Sequence, residues 1–197
     1  MARRNDHTRQ ELHDNLINAA REIIIAEGLE NLTARKLATR IGYAVGTIYN
    51  VFQNLTDVIL HVNRQTLEEL TQQIIATHPH SDDPLQNLIA FADTYIDFSR
   101  KNEKLWRATF DLIMPEDEKH PEWTKTAALG LLYLIAEQLT DRVEDQDKRM
   151  QAALALWAGV HGLCILESQR KLETMGMTEL HEMSHLHVTS FYKGLKG

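Results

Sequence analysis

The chain has 197 residues, is 43% hydrophobic, holds a single cysteine and carries a net charge of −7. That length fits one large domain or a small and a medium one, with enough apolar content for a true core. One cysteine excludes an intrachain disulfide and fits a reducing, cytoplasmic setting. Residues 1–22 are polar and charged rather than a signal segment, and the apolar runs 127–136 and 152–160 fall short of the ~20 residues a bilayer requires.

Hydrophobic spacing predicts a first helix over 8–27, with Leu12, Leu16, Ala19, Ala20, Ile23 and Ile24 on one face. Gly28 is placed to cap it and let Leu29 fold back on Ile24 or Ile25. A second helix is expected over 34–41 behind Thr33 as N-cap, and a third over 45–51. Leu37, Ala38 and Ile41 share a face of the second; Ile48, Val51 and Phe52 share one of the third. Gly42 stands between them, where the chain must turn sharply and positive φ costs least. Ala38 is small enough for a close crossing. Over 33–52 this is the build of a helix-turn-helix, whose second helix enters a DNA major groove.

A fourth helix starts at Asn54, with Asp57 completing a capping-box variant, and continues through Val58, Ile59, Val62, Thr66, Leu70 and Ile74. A loop at 77–83 follows. Asp83-Pro84 opens a fifth helix to 101, with Leu85, Leu88, Ile89, Ala92, Tyr95 and Ile96 on one face. A shorter helix passes through Trp106 and Phe110. After an acidic, proline-bounded loop at 114–121 come helices over 122–139, 148–171 and 178–195, with 141–149 a charged connector or helix start between the first two. No strand pattern and no repeat appears. The expected fold is all-α, with about nine helices: a three-helix domain over 1–55 and a larger helical domain over 56–197.

Residues 1–55 hold seven Lys/Arg and six Asp/Glu; the rest hold 14 and 22, so the acidity lies in the second part. So few cations predict modest nonspecific DNA affinity and a shallow salt dependence for one copy.

Residues 10–60 resemble the DNA-binding domain of the tetracycline-repressor (TetR) family of bacterial transcription regulators. The resemblance rests, in fixed order, on Gly28, Leu32-Thr33, Ala38, Gly42, the run Gly46-Thr47-Ile48-Tyr49, Phe52, and the Asn54/Asp57 helix start. It implies that Thr47 and Tyr49 contact phosphates while Ala44, Val45 and Gly46 approach base edges; Asn50 lies near the same outer face. A hydroxyl can hold a phosphate without reading sequence, and small residues let a helix sink toward thymine methyls. Thr33 and the open N–H groups behind it make an anion site. Arg35 and Lys36 occupy that first turn, where a cation opposes the helix dipole unless phosphates lie nearby. Arg3 and Arg4 suit either a minor-groove arm or a plain polar tail. Two positions depart from the family: Leu55 replaces a usual lysine, and Ala44 stands where serine or threonine often caps the third helix. Both weaken backbone contacts to DNA.

The run WAGVHG at 157–162 resembles the Trp-His-Gly signature of a C-terminal domain in some of these regulators. Trp157 and His161 share a face, and Gly159 and Gly162 allow close helix approach. The resemblance makes the last two helices a dimer interface, a four-helix bundle about a two-fold axis, with Trp157, His161, Cys164, Leu180, Met183 and His187 as candidates. It also implies an effector pocket inside the fourth to seventh helices. Phe91, Tyr95, Trp106, Phe110 and Trp123 are candidates for its walls or for plain core. With no charged cluster to dictate a ligand, the effector is expected to be small and largely apolar.

His181-Glu182-Met183-Ser184-His185 matches H-E-x-x-H, a zinc-protease pattern with both histidines on one helical face. Only 12 residues follow His185, too few for a distant third ligand. A hydrolase is therefore disfavoured; a zinc-responsive regulator using these histidines with His187 or His161 is the alternative reading. Cys164 lacks the partners for a structural metal site and reads as a small buried hydrophobe. The expectation is a cytoplasmic, homodimeric repressor, not an enzyme and without cofactor or metal. A small molecule would release it from a palindromic double-stranded DNA operator.

Overall fold

Capping chemistry fixes where the helices begin. Thr8 Oγ1 accepts from Glu11 N at 3.2 Å while Glu11 Oε2 accepts from Thr8 N at 2.7 Å, a full capping box. Asn54 Oδ1 accepts from Asp57 N at 2.8 Å, Asp83 Oδ1 from Leu85 N at 2.9 Å, and Asp145 Oδ1 from Lys148 N at 2.8 Å. The computed structural model describes residues 8–77, 81–114 and 121–195. Among them all regular structure is helical: α1 (Arg9–Glu27), a 3-10 turn (Leu29–Asn31), α2 (Ala34–Ile41), α3 (Val45–Tyr49), α4 (Leu55–Thr77), α5 (Pro84–Lys101), α6 (Glu103–Phe110), α7 (Glu122–Glu137), α8 (Gln146–Ser168), α9 (Lys171–Thr174) and α10 (Leu180–Gly194). The helix expected over 148–171 thus ends at Ser168, and a further short helix, α9, follows it. Arg170 adopts the left-handed conformation, φ 58°, which a right-handed helix cannot pass through. The Asp145 cap makes the last part of 141–149 the start of α8, the second of the two readings of that stretch.

The chain divides into two compact units, residues 1–67 with 104–120 and residues 68–103 with 121–197. The first holds more than the three helices expected over 1–55. Val58, Ile59 and Val62 of α4 and Leu105 and Ala108 of α6 join one core with Leu16, Ile23, Leu37, Ile48 and Phe52. Asn63 Nδ2 donates to the Ala108 carbonyl at 3.1 Å, and Lys104 Nζ to the Ala26 carbonyl at 2.6 Å, fixing α6 against α4 and α1. Each fully buried Leu or Ile here contributes about 1.5–3 kcal/mol of apolar transfer energy.

In the second unit α5 packs on α8 and α10, and α7 packs on α8. Asn87 Nδ2 donates to Gln138 Oε1 at 2.9 Å, and Arg100 forks onto Glu167 at 2.6 and 3.0 Å, tying α5 to the segments behind it. The His187 ring of α10 lies over Gly159 of α8, so that a Cβ there would collide with it. By length and composition α8 could cross a membrane, which the separate apolar runs do not suggest. Its inner side packs on the neighbouring helices through Ala153, Leu156, Val160 and Cys164, whereas Leu154, Ala155 and Ala158 are exposed.

Candidate nucleic-acid interface and effector cavity

The helix-turn-helix is built by local chemistry. Thr33 Oγ1 accepts from Lys36 N at 3.2 Å and starts α2. Gly42 ends it at φ 74°, ψ 28°, and Tyr43 N then donates to the Ala38 carbonyl at 3.0 Å. Ala44 begins α3 without a side-chain cap. Ile48 is fully buried and pins α3 to the core, which turns Val45, Gly46, Tyr49 and Asn50 outward; Thr47 is half-buried. A Cβ at Gly46 would meet nothing within 4 Å, so the chain's own packing does not require glycine there.

The cations behave less simply than their positions suggest. Arg35 is exposed. Lys36 Nζ reaches Glu27 Oε2 at 2.5 Å, and Arg40 Nη2 reaches Glu22 Oε2 at 3.0 Å, both from α2 back to α1. Such exposed pairs are worth about 0–1 kcal/mol, weak enough for a phosphate to displace the carboxylate. These acidic partners lie on another helix, so no i, i+4 spacing announces them. Arg3 and Arg4 lie outside the described residues.

Behind α3, His13 stacks on Phe52 with centroids 4.8 Å apart, and His61 meets His13 edge-on at 5.0 Å. Burial pushes His61 below its ordinary 6.5, helped by His13 and Arg64 and opposed by Asp57. The folded state therefore holds His61 neutral. Its contribution to stability is complete above pH 6.5 and is lost as pH falls below that value.

The second unit holds an apolar, partly open cavity of about 30 Å³. Its walls are Leu88, Phe91, Ala92 and Tyr95 of α5, Leu131 and Ile135 of α7, Leu156, Trp157 and Val160 of α8, and Val188 of α10. Phe91 and Tyr95 are the two sequence-predicted effector residues it brings together. Trp106 and Phe110 belong to the first unit, rings 5.4 Å apart with Trp106 buried; Trp123 is half-buried at the start of α7 and lines no part of the cavity. The sequence does not mark the aliphatic walls, because Leu and Val at helical spacing are indistinguishable from core.

Several residues expected at a dimer interface are used inside the chain. Cys164 and Leu180 are closed over by their own neighbours and have no surface left for a partner, which corrects that expectation. Burial pushes the Cys164 thiol up to about 11, against a Ser99 hydrogen bond that lowers it, so it stays a protonated thiol. Trp157 is a cavity wall and stacks on His161 at 4.8 Å, and His161 Nδ1 lies 2.7 Å from the Tyr95 hydroxyl. Met183 and His187 are half-buried, with His187 Nε2 3.1 Å from the Leu156 carbonyl. The H-E-x-x-H histidines face α5: His185 Nε2 is 2.8 Å from Asp93 Oδ1, and His181 Nε2 is 3.4 Å from Asp97 Oδ1. Among the described residues no group of three His, Cys, Asp or Glu side chains is placed to hold a metal ion.

Comparison with known proteins bears on both units. The family described as "Bacterial regulatory proteins, tetR family" matches residues 16–62, and "Tetracyclin repressor-like, C-terminal domain" matches residues 88–191. The latter description does not name a Trp-His-Gly subtype. An uncharacterized HTH-type transcriptional regulator of Mycobacterium tuberculosis is 22% identical over 156 residues, covering 78% of this chain and 69% of the relative. A protein of unknown function from Rhodococcus sp. RHA1 superposes with a TM-score of 0.73 at 17% identity, covering 100% of both chains. The transcriptional regulator FadR from Bacillus subtilis, in complex with stearoyl-CoA, gives a TM-score of 0.67 at 16% identity, covering 92% of this chain and 98% of its own. Likeness at these identities shows the shared fold alone.

Proposed function

The chain belongs to the tetR family of bacterial regulatory proteins and is a transcriptional regulator, and on that premise we propose that it is a homodimeric repressor whose grip on DNA an apolar effector releases. The observation that carries the DNA half is the outer face of α3. Ile48 alone anchors it, and Val45, Gly46, Tyr49 and Asn50 are left open to a partner. Gly46 leaves room for base edges and thymine methyls, while the Tyr49 and Thr47 hydroxyls and the Thr33 helix start serve phosphates. Two copies would place α3 in successive major grooves of a palindrome, in the cytoplasm.

Dimerisation is supported by α8 and α10. Leu154, Ala155 and Ala158 on α8 and Leu186 on α10 are exposed, the last at 69%. A helix that is apolar on all sides needs cover on all sides. A second copy brings the same helices about a two-fold axis.

The cavity of α5, α7, α8 and α10 is the effector site in this reading. The stearoyl-CoA of the Bacillus subtilis relative carries a long apolar chain, and the apolar lining here suits a ligand of that general character. At about 30 Å³ the cavity holds about two waters, so any organic effector must spread its helices. Leu131 of α7 is a wall, and the next residue back, Gly130, has Thr71 of α4 3.9 Å from its Cβ position. A displaced α7 would therefore press on α4, which continues into the first unit. A ligand switches the protein only by preferring the released state; driving it from 1% to 99% takes about 5.5 kcal/mol of differential affinity.

The test is selection of bound sites from random duplex DNA, with affinity for the winners measured at two salt concentrations. The expected result is an enriched palindrome bound less tightly as salt rises. Enrichment of a single half-site would overturn the dimeric reading, and no enrichment the repressor reading.

A further inference from the structure

We propose that the cavity admits a hydrocarbon group alone, a ring or chain without a hydrogen-bonding atom, and that α7 is the wall that yields to it. The inference rests on the reading of the cavity as effector site and adds the chemical class. Four helices supply the walls, and what they present is carbon: Phe91 and the Tyr95 ring from α5, Leu131 and Ile135 from α7, Val160 from α8 and Val188 from α10. No wall is charged, and almost no polar surface faces the space between them. The Tyr95 hydroxyl is engaged elsewhere, 2.7 Å from His161 Nδ1, and His161 is not a wall.

A hydroxyl or amide that enters such a space leaves its hydration behind and meets no partner, which costs about tenfold in affinity or more; a charge costs far more. A hydrocarbon gives up no hydrogen bond on entry and gains dispersion contacts that an unfilled apolar space lacks. Apolar cavities of this kind stay dry and take up small hydrocarbons. Room must still be made, and the contact that parts decides whether polar groups are uncovered. α5 is held to α8 by the Tyr95–His161 contact and the Arg100–Glu167 fork at 2.6 and 3.0 Å, and to α10 by His185 Nε2, 2.8 Å from Asp93 Oδ1. α7 packs on α8, and the hydrogen bond from Asn87 Nδ2 to Gln138 Oε1, at 2.9 Å, ties it to α5 just past its last turn. Its two walls, Leu131 and Ile135, are aliphatic. Movement of α7 therefore opens the space between carbon and carbon and leaves the polar ties of α5 to α8 and α10 intact.

Three para-substituted benzenes of one shape separate these terms: p-xylene, p-cresol and hydroquinone, titrated into the full chain by calorimetry. The cost of moving α7 is common to all three and cancels in the comparison. p-Cresol can enter methyl first and keep its hydroxyl at the open side, whereas hydroquinone buries a hydroxyl whichever end leads. The expected order is p-xylene, p-cresol, hydroquinone, with p-xylene about tenfold tighter than hydroquinone. Leu131→Ala, which shortens the moving wall, should bind p-xylene about tenfold more tightly than the wild type and keep the order. Hydroquinone bound as tightly as p-xylene overturns the hydrocarbon class while leaving the cavity a binding site. An unchanged p-xylene affinity in Leu131→Ala overturns the role of α7. Binding of none of the three overturns the cavity as a ligand site, and the class with it. Binding of p-xylene that leaves affinity for the selected DNA unchanged overturns the effector reading alone. The wild-type order decides the class even if the variant folds poorly.

Discussion

α3 and α8 leave opposite kinds of surface uncovered. α3 has five residues, buries Ile48 completely, and turns Val45, Gly46 and the Tyr49 hydroxyl outward, with the exposed Asn50 amide just beyond its end. α8 has 23 residues and exposes Leu154, Ala155 and Ala158 on the side away from its buried stripe. Small and hydroxylated groups on a short helix suit a hydrated polyanion, because they approach closely and donate without desolvating charge. An alkyl face suits another protein surface, because only burial lowers its free energy. In the proposed function these are two interfaces with different physics, and each can be broken separately.

The largest effect is expected at the anchor of α3. Ile48→Ala should cost about 2–5 kcal/mol in denaturant unfolding, since the side chain is fully buried and the site is bounded by helices. A loss under 1 kcal/mol would mean that α3 is held by something else. Next, Leu154→Glu should convert the proposed dimer to monomer in sedimentation, with the far-ultraviolet dichroism unchanged. A dimer that persists would move the interface off this side of α8.

Tyr49→Phe should weaken binding to all DNA sequences alike, by about 0.5–1.5 kcal/mol, as loss of a phosphate contact does. A changed base preference would show that Tyr49 reads sequence. The smallest effect is expected at Glu27→Gln, which releases Lys36 from its ion pair. DNA affinity should rise a few-fold, and the salt dependence should steepen by about one charge for each copy. An unchanged slope would show that Lys36 faces no phosphate.

Local chemistry explains how much was legible beforehand. The starts at Thr8, Thr33, Asn54 and Asp83 involve partners two or three residues away, so a short window of sequence contains the whole interaction. The same holds for the turn at Gly42, whose left-handed backbone only a residue without Cβ adopts cheaply. The break at Arg170 was not legible, because a non-glycine residue in that conformation carries no compositional mark. Nor was the diversion of Lys36 and Arg40 to α1, which depends on how α1 and α2 cross.

By itself, then, the sequence determined an all-helical chain, most of its helix starts, and a helix-turn-helix whose second helix keeps one face for the core and one exposed. Those follow from periodicity and capping, which act within a few residues. Only the tertiary structure decided which aromatic residues wall the cavity, that Trp157 and His161 turn toward Tyr95, and that Cys164 and Leu180 are spent inside the chain. The reason is physical. A helix that is apolar on all sides, as α8 is, has no periodic signal to distinguish the side its own chain covers, and Tyr95 and His161 meet across 66 residues of sequence.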